Sequence, residues 1–193
     1  TAGFIQWYKT INGFMNENDE ATFIKIDNNY NCYVAGLIAD TSATNKTACV
    51  IKYNAAGGQQ WVRKLHQTGI FKQESVSVQD FHLDNQGNSY IALKEDRENY
   101  NSDNAKIIKL SNLGTLNWTK LHEGNGLSQV PYSLSTDNFG NVYACGTEQL
   151  PLGADVFILK YNPSGTQLFN NVYEYSASSY ETPKTLTIDN SGN

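Results

Sequence analysis

A seven-residue pattern, Asp-Asn-x-Gly-Asn-x-Tyr, recurs along the chain at nearly constant intervals, and no other feature constrains the fold as strongly. It stands at residues 84–90 and 137–143, in degenerate form at 27–33, where Tyr30 replaces the glycine, and again without its tyrosine at 189–193. The leading aspartates, Asp27, Asp84, Asp137 and Asp189, are 57, 53 and 52 residues apart. A second pattern shares the period: a lysine, a glycine five residues on, and an aromatic four residues after that. It reads Lys52, Gly57, Trp61, then Lys109, Gly114, Trp118, then Lys160, Gly165, Phe169, with Gly3 and Trp7 as a copy lacking its lysine. Two independent patterns with one period of about 54 residues define a repeat protein, in which each unit is a supersecondary structure that stacks on its neighbours.

Each period holds four strand-like runs. In the third copy strand A is 132–136, strand B 142–146, strand C 156–161 and strand D 167–173. The A–B link is the Asp-Asn-x-Gly-Asn turn, in which Asn is expected to tolerate left-handed φ in the copy that lacks Gly. The C–D link, Asn162-Pro163-Ser164-Gly165, has Pro at the second position of a tight turn. Tight links join neighbouring antiparallel strands, so each period is a four-stranded meander. Composition agrees: 23 Asn, 15 Gly and 12 Tyr in 193 residues suit turns and half-buried strands. A lone four-stranded sheet buries too little, and a repeat of four short strands per unit is the signature of a β-propeller. The expected fold is therefore all-β, a β-propeller of four-stranded antiparallel blades. About 3.6 blades are present: strand D of one blade at 1–11, blades at 12–65, 66–121 and 122–173, and strand A of the next at 174–193. All form one propeller segment, expected to be part of a longer protein. The strand D aromatics, Trp7, Trp61, Trp118 and Phe169, are expected to fill the gaps between blades.

The residues Asp137, Gly140, Asn141, Tyr143, Gly146, Lys160 and Gly165, with their copies, resemble the SBBP-type bacterial β-propeller repeat. Gly36 and Gly146 match the glycine after strand B, whereas Leu93 stands there in the second copy. The resemblance covers nearly the whole chain and implies a propeller, often of about seven blades, in a secreted or cell-surface bacterial protein. The shared residues are turn and packing residues, so the resemblance speaks to fold and not to function.

Function must come from elsewhere in the chain. Net charge is −5 with no basic run, which argues against nucleic acid, and no stretch of 18 apolar residues exists to insert into a membrane. The three cysteines, Cys32, Cys49 and Cys145, give no closed disulfide framework and read as buried strand residues. In the expected strand order the A–B and C–D turns share one face, and they are nearly constant in length. The D–A loops (12–20, 66–75, 122–130, 173–182) and B–C loops (37–47, 93–104, 147–155) share the other and vary. Those seven loops hold fourteen acids and four bases, a net −10, against +5 for the remainder. Variable loops on a rigid framework are where binding sites usually lie, and an acidic face suits cations or basic partners.

The longest insertion, 93–104, mixes carboxylates, amides and a tyrosine, a set that suits calcium or sugar hydroxyls. The candidate ligand-binding residues are Glu95, Asp96, Arg97, Tyr100, Asp103, Glu123, Glu148 and Tyr175, and the candidate calcium ligands are Glu95, Asp96 and Asp103. No other cofactor is expected. No Ser/His/Asp grouping or catalytic motif is present. The repeated triplets Lys64-Leu65-His66 and Lys120-Leu121-His122, and the repeated Lys52, Lys109 and Lys160, read as structural positions. The leading expectation is a non-catalytic secreted or cell-surface module for binding or scaffolding. Its partners are protein or carbohydrate, together with the remainder of its own ring or neighbouring subunits. The alternatives are a polysaccharide-acting hydrolase or lyase with carboxylates around the channel, and a subunit of an extracellular assembly.

Overall fold

A computed structural model describes residues 3–13, 18–39, 46–65, 76–97, 102–124, 127–176, 178–189 and 192. They contain no helix, and so none long and apolar enough to cross a membrane. Among the described residues twelve strands form three four-stranded antiparallel sheets, each in simple chain order. The first sheet is β1 (Glu20–Ile26), β2 (Cys32–Ala39), β3 (Lys46–Tyr53) and β4 (Gln59–Leu65). The second is β5 (Val76–Leu83), β6 (Ser89–Arg97), β7 (Ser102–Leu110) and β8 (Leu116–His122). The third is β9 (Gln129–Thr136), β10 (Val142–Gln149), β11 (Ala154–Tyr161) and β12 (Gln167–Tyr173). Sheets approach most closely at their first strands: β5 lies against β1, β2 and β3, and β9 against β5, β6 and β7. Meanders pinched together along the first strand and stacked face to face are the blades of a β-propeller.

The middle strands bury both faces, which is why they read as nearly continuous apolar runs. Tyr33, Ala35 and Val50 meet Phe81, Ile91, Leu93 and Ile108 between the first two blades. Tyr90, Ala92, Ile107 and Trp118 meet Leu134, Ala144, Phe157 and Leu159 between the second and third.

The repeated residues are latches. In each A–B turn one aspartate organises the loop. Asp137 Oδ1 accepts the Phe139 and Asn141 backbone N–H groups, both at 2.9 Å, and its Oδ2 accepts Asn141 Nδ2 at 2.7 Å and Tyr143 Oη at 3.3 Å. Asp27 and Asp84 make the same four bonds to their own turn and tyrosine. The D-strand tryptophan crosses to the following blade: Trp61 Nε1 donates to Asn112 O, and Trp118 Nε1 to Pro163 O, each at 3.1 Å. The repeated lysine lies over the tyrosine of its own blade and donates to the same carbonyl. Lys52 Nζ is 4.8 Å from the Tyr33 ring centre and 3.2 Å from Asn112 O. Lys109 Nζ is 5.3 Å from Tyr90 and 3.1 Å from Pro163 O. At Gly114 a side chain would meet both obstacles at once, since φ is +78° and a Cβ would sit 2.8 Å from the Trp61 ring.

Inner strands are tied as well. Leu134 N donates to Asp80 Oδ2 at 2.7 Å and, one blade on, Leu186 N donates to Ser133 Oγ at 3.2 Å. Residues 3–13 belong to no sheet, yet Trp7 Nε1 donates to Ala55 O at 3.1 Å, the inter-blade position of the other tryptophans.

Two expectations are corrected. No asparagine takes over the left-handed position of the first A–B turn: Tyr30 itself holds φ 60°, the only described non-glycine residue with positive φ. The B–C loops are also shorter than 37–47, 93–104 and 147–155, because the hairpins continue beyond the end of strand B at Gly36, Leu93 and Gly146. The clearest case is β6–β7, whose ladder runs to Asp96↔Asp103 and Arg97↔Ser102. Its charged residues do not break the strands because Lys106 meets Glu95 and Lys94 meets Asp103 across them, offsetting the like charges of Asp96 and Asp103.

Candidate functional site

The extended hairpins bring the loop-face side chains into rows. In the second blade Glu95 stands opposite Asn104, and Asp96 opposite Asp103. Successive strand residues point to opposite faces, so Glu95 turns away from Asp96 and Asp103. The three proposed calcium ligands are therefore not brought together. Each carboxylate already has a lysine: Lys106 bonds Glu95, and Lys94 Nζ lies 3.0 Å from Asp103 Oδ2 and 3.6 Å from Asp96 Oδ1. Burial pulls the Lys94 ammonium down, but Asp103 and Asp96 outweigh it and hold it above its usual value. Among the described residues no group of three or more His, Cys, Asp or Glu is placed to hold a metal ion. Arg97 closes the β6 ladder, its side chain lies outside the described residues, and so does Tyr100.

The third blade is different. There β9, β10 and β11 align Gln129, Glu148 and Asp155 in one cross-strand row. All three are buried. The β8 strand of the preceding blade ends at His122, also buried, whose Nε2 lies 3.9 Å from Glu148 Oε2 and whose ring centre is 4.5 Å from that of Phe157. From the other side the chain after β12 returns along β11: Ala154 N donates to Ser179 O and Glu181 N to Ala154 O, at 2.9 and 2.8 Å. That return brings Glu181 to Asp155, and Glu174 reaches it from the end of β12, whose Tyr173 stands opposite Val156. Asp155 Oδ1, Glu181 Oε2 and His122 Nε2 are buried without a hydrogen-bond partner. Burial raises the Asp155 carboxyl above its usual range, and Glu174, Glu181 and Glu148 push in the same direction. Burial lowers the His122 imidazole, with Glu148 opposing. Glu148 is thus joined by His122, Asp155, Glu174 and Glu181, while Glu123 and Tyr175 are exposed nearby in sequence on the same loops.

His122, Asp155, Glu174 and Glu181 are the site residues that sequence reasoning did not single out. His122 was hidden by its triplet. Trp61 and Trp118 are 57 residues apart but the two Lys-Leu-His triplets only 56, so His122 takes the place of Leu65 and faces inward; His66 lies outside the described residues. Asp155 was hidden in a stretch assigned to a loop. The signal that finds it is the latch register: counting back five from Lys52, Lys109 and Lys160 gives Thr47, Asn104 and Asp155.

A polar cavity of about 330 Å³ opens on the opposite, turn-bearing face, lined among others by His82, Thr136, Asn138 and Ile188. The Asp84 and Asp137 carboxylates that border it are committed to their own turns, and His82 Nε2 pairs with Thr136 Oγ1 at 3.0 Å. The Asp84 and Asp137 part of this lining therefore belongs to the latches.

No protein-family model matches the sequence, and no curated protein matches it. In three dimensions the chain is similar to the endo-arabinase from Bacteroides thetaiotaomicron VPI-5482, at a TM-score of 0.42 and 9 % identity over 78 % of this chain. The match spans 60 % of the endo-arabinase chain. The β-propeller assignment rests on the three stacked meanders themselves.

Proposed function

We propose that this chain is a non-catalytic binding module, part of a secreted or cell-surface propeller of the SBBP type, whose ligand contacts lie on the B–C and D–A loop face. The observation that carries the reading is the carboxylate group of the third blade, Glu148, Asp155, Glu174 and Glu181, which has buried oxygens without hydrogen-bond partners at Asp155 and Glu181. Packing alone accounts for the repeated turn residues, but not for burying acids beside one another. Its partners are protein or carbohydrate, and further blades of the same kind: Ile24 and Ile26 of β1 are 64 % and 65 % exposed on the face a preceding blade would cover. The test is binding to arrays of proteins and glycans with Glu123→Gln/Glu174→Gln against a turn-face control, Asn138→Ala. Loss of binding in the first variant alone supports the loop face, and equal binding by both refutes it.

A second reading, a polysaccharide-acting hydrolase or lyase, draws on Glu148 and Asp155 side by side, with the Asp155 proton held more tightly than usual. It requires release of new sugar ends from some polysaccharide, abolished in both Glu148→Gln and Asp155→Asn. Turnover surviving in either variant would remove these residues from the chemistry.

A further inference from the structure

The latch between blades has two halves, and at the front of the first blade only one of them is filled. Trp61 and Trp118 each pack on the C–D glycine of the following blade, where a Cβ at Gly114 or Gly165 would sit 2.8 Å from the indole, and each donates to a turn carbonyl there. Trp7 takes the same seat: a Cβ at Gly57 would sit 2.8 Å from its ring, and its Nε1 donates to Ala55 O. Its ring centre is 5.8 Å from that of Tyr53 with 38° between the planes, against 5.9 Å and 40° for Trp118 and Tyr161. The other half of the latch comes from the tryptophan's own blade. A strand C lysine stands opposite the tryptophan, Lys52 across from Trp61 and Lys109 across from Trp118, and donates to the same carbonyl. A strand B tyrosine, Tyr33 or Tyr90, packs against that tryptophan and under that lysine. Among the described residues no lysine shares Ala55 O with Trp7, and the only tyrosine on its ring is Tyr53 of the following blade. The surface around Trp7 is uncovered to match. Ile24 stands three residues before its turn aspartate, as Phe81 and Leu134 do, and is exposed where they are buried. An apolar cavity of about 380 Å³ lies beside it, lined among others by Trp7, Ile11, Cys32, Val34 and Ile51. Phe4, Ile5 and Tyr8 are exposed, and residues 3–11 pair with no strand.

We propose that the front of the first blade, together with residues 3–11, is the docking surface for a further repeat of the same ring, one that brings strands A, B and C and takes residues 3–11 as its strand D. Its strand C lies antiparallel to residues 3–11, satisfying their open backbone edge, and sets a lysine opposite Trp7 that donates to Ala55 O. Its strand B places a tyrosine under that lysine, and its strand A covers Ile24. The argument is continuity with the two interfaces already formed. The faces that fill the corresponding place on the second and third blades, Tyr33, Ala35 and Val50, then Tyr90, Ala92 and Ile107, are apolar, as the cavity lining requires. A complete four-stranded blade, such as the third blade of a second copy, does not fit, because its own strand D would need the seat that Trp7 holds on Gly57.

The inference rests on the reading that further blades are partners, and names what such a blade must bring. A copy of residues 129–162 joined directly ahead of Thr1 sets Gly3 in the place of Gly165 and Trp7 in that of Phe169. In this extended full chain, amide hydrogen exchange across residues 4–9 is expected to slow at least about tenfold relative to the unextended chain, with a higher Tm. Both gains should shrink with Lys160→Met in the added copy alone and vanish with Trp7→Ala. Unchanged exchange across residues 4–9 overturns the proposal, and so does equal protection by an added segment of the same residues in scrambled order. Gains that survive Lys160→Met in full overturn the lysine assignment. Protection of residues 4–9 in the unextended chain that grows with protein concentration makes a second copy the occupant and overturns it as well. Array binding that depends on Glu123 and Glu174 stands or falls separately, because those residues lie on the third blade's loops and not on this surface.

Discussion

Replacing Asp137 by alanine tests whether the repeated turn aspartate holds the blades together or merely decorates a turn. The carboxylate accepts four hydrogen bonds, three of them at 2.9 Å or shorter, and Lys160 Nζ lies 3.9 Å from Oδ2. Hydrogen bonds to a charged group contribute about 1.5–3 kcal/mol each and are not additive. Tyr143 keeps its second bond, to Gly192 O at 3.0 Å. Water can reach part of the turn, so the expected loss is about 3 kcal/mol, or roughly 6–12 °C in Tm for a chain of this size. The assay is urea unfolding followed by tryptophan fluorescence, repeated across pH. Burial alone would raise the Asp137 carboxyl, but the Asn141 side chain and backbone, the Phe139 N–H and Lys160 outweigh it and hold it below 3.8. The unfolded chain then binds the proton first. The stabilisation is present above pH 3.8 and is lost as pH falls through the folded value. Asp27, held low by the same kind of bonds, acts in parallel. The acid limb should therefore be shallower in Asp137→Ala. A loss below about 1 kcal/mol, or an unchanged acid limb, would refute the latch argument.

Three further outcomes are expected. Asp155→Asn should stabilise the protein at pH 7: the folded carboxyl binds its proton more tightly than the unfolded one, so ionisation penalises the native state, and the gain should vanish as pH falls below 3.8 in matched denaturant titrations. Trp118→Phe, copying the residue at 169, should cost about 1 kcal/mol for the bond to Pro163 O, and Trp118→Ala about 3–5 kcal/mol by chemical denaturation. Tyr30→Gly should raise stability by about 1 kcal/mol, because φ 60° costs a side-chain-bearing residue and not glycine, as a shift of the urea midpoint at unchanged slope will show.

The sequence makes the turn-bearing half of each blade legible and the loop-bearing half much less so, for a physical reason. At the turn end one side chain must satisfy several backbone groups and a neighbouring blade at once, so Asp84, Gly114 and Trp118 leave periodic marks. The repeated lysines, read from the sequence as structural positions, place Lys52 and Lys109 Nζ on a turn carbonyl of the following blade and over the tyrosine of their own. Strand D of the third blade has the bounds read from the sequence. At the loop end the ladder continues through residues whose only requirement is a compatible partner across the strand. Polar runs such as Lys94-Glu95-Asp96 look like loops because their partners, Asp103, Asn104 and Lys106, are invisible until the register is known. The β-bulges that shift register between Val78 and Asp80, and between Lys109 and Leu110, leave no mark either. Of the proposed ligand residues, Glu148 sits in the carboxylate cluster, whereas Glu95, Asp96 and Asp103 are engaged by lysines.

The division of labour within each blade explains how a repeat this regular leaves room for a site. The latches fix both strand register and blade spacing from the turn end, so the loop end is positioned without having to contribute. One structural place can then hold Ile38 with Thr47, Glu95 with Asn104, or Glu148 with Asp155, at the same backbone geometry. The first solution is uncharged, the second meets its acid with a lysine from within, and the third places two acids together. The third is the least favourable for folding, because desolvating adjacent carboxylates is costly. It persists in a chain whose other blades show two cheaper solutions to the same packing problem. A local cost is thus retained although Glu95, 53 residues before Glu148 along the same chain, meets a lysine from within, and the binding role proposed for the loop face accounts for it.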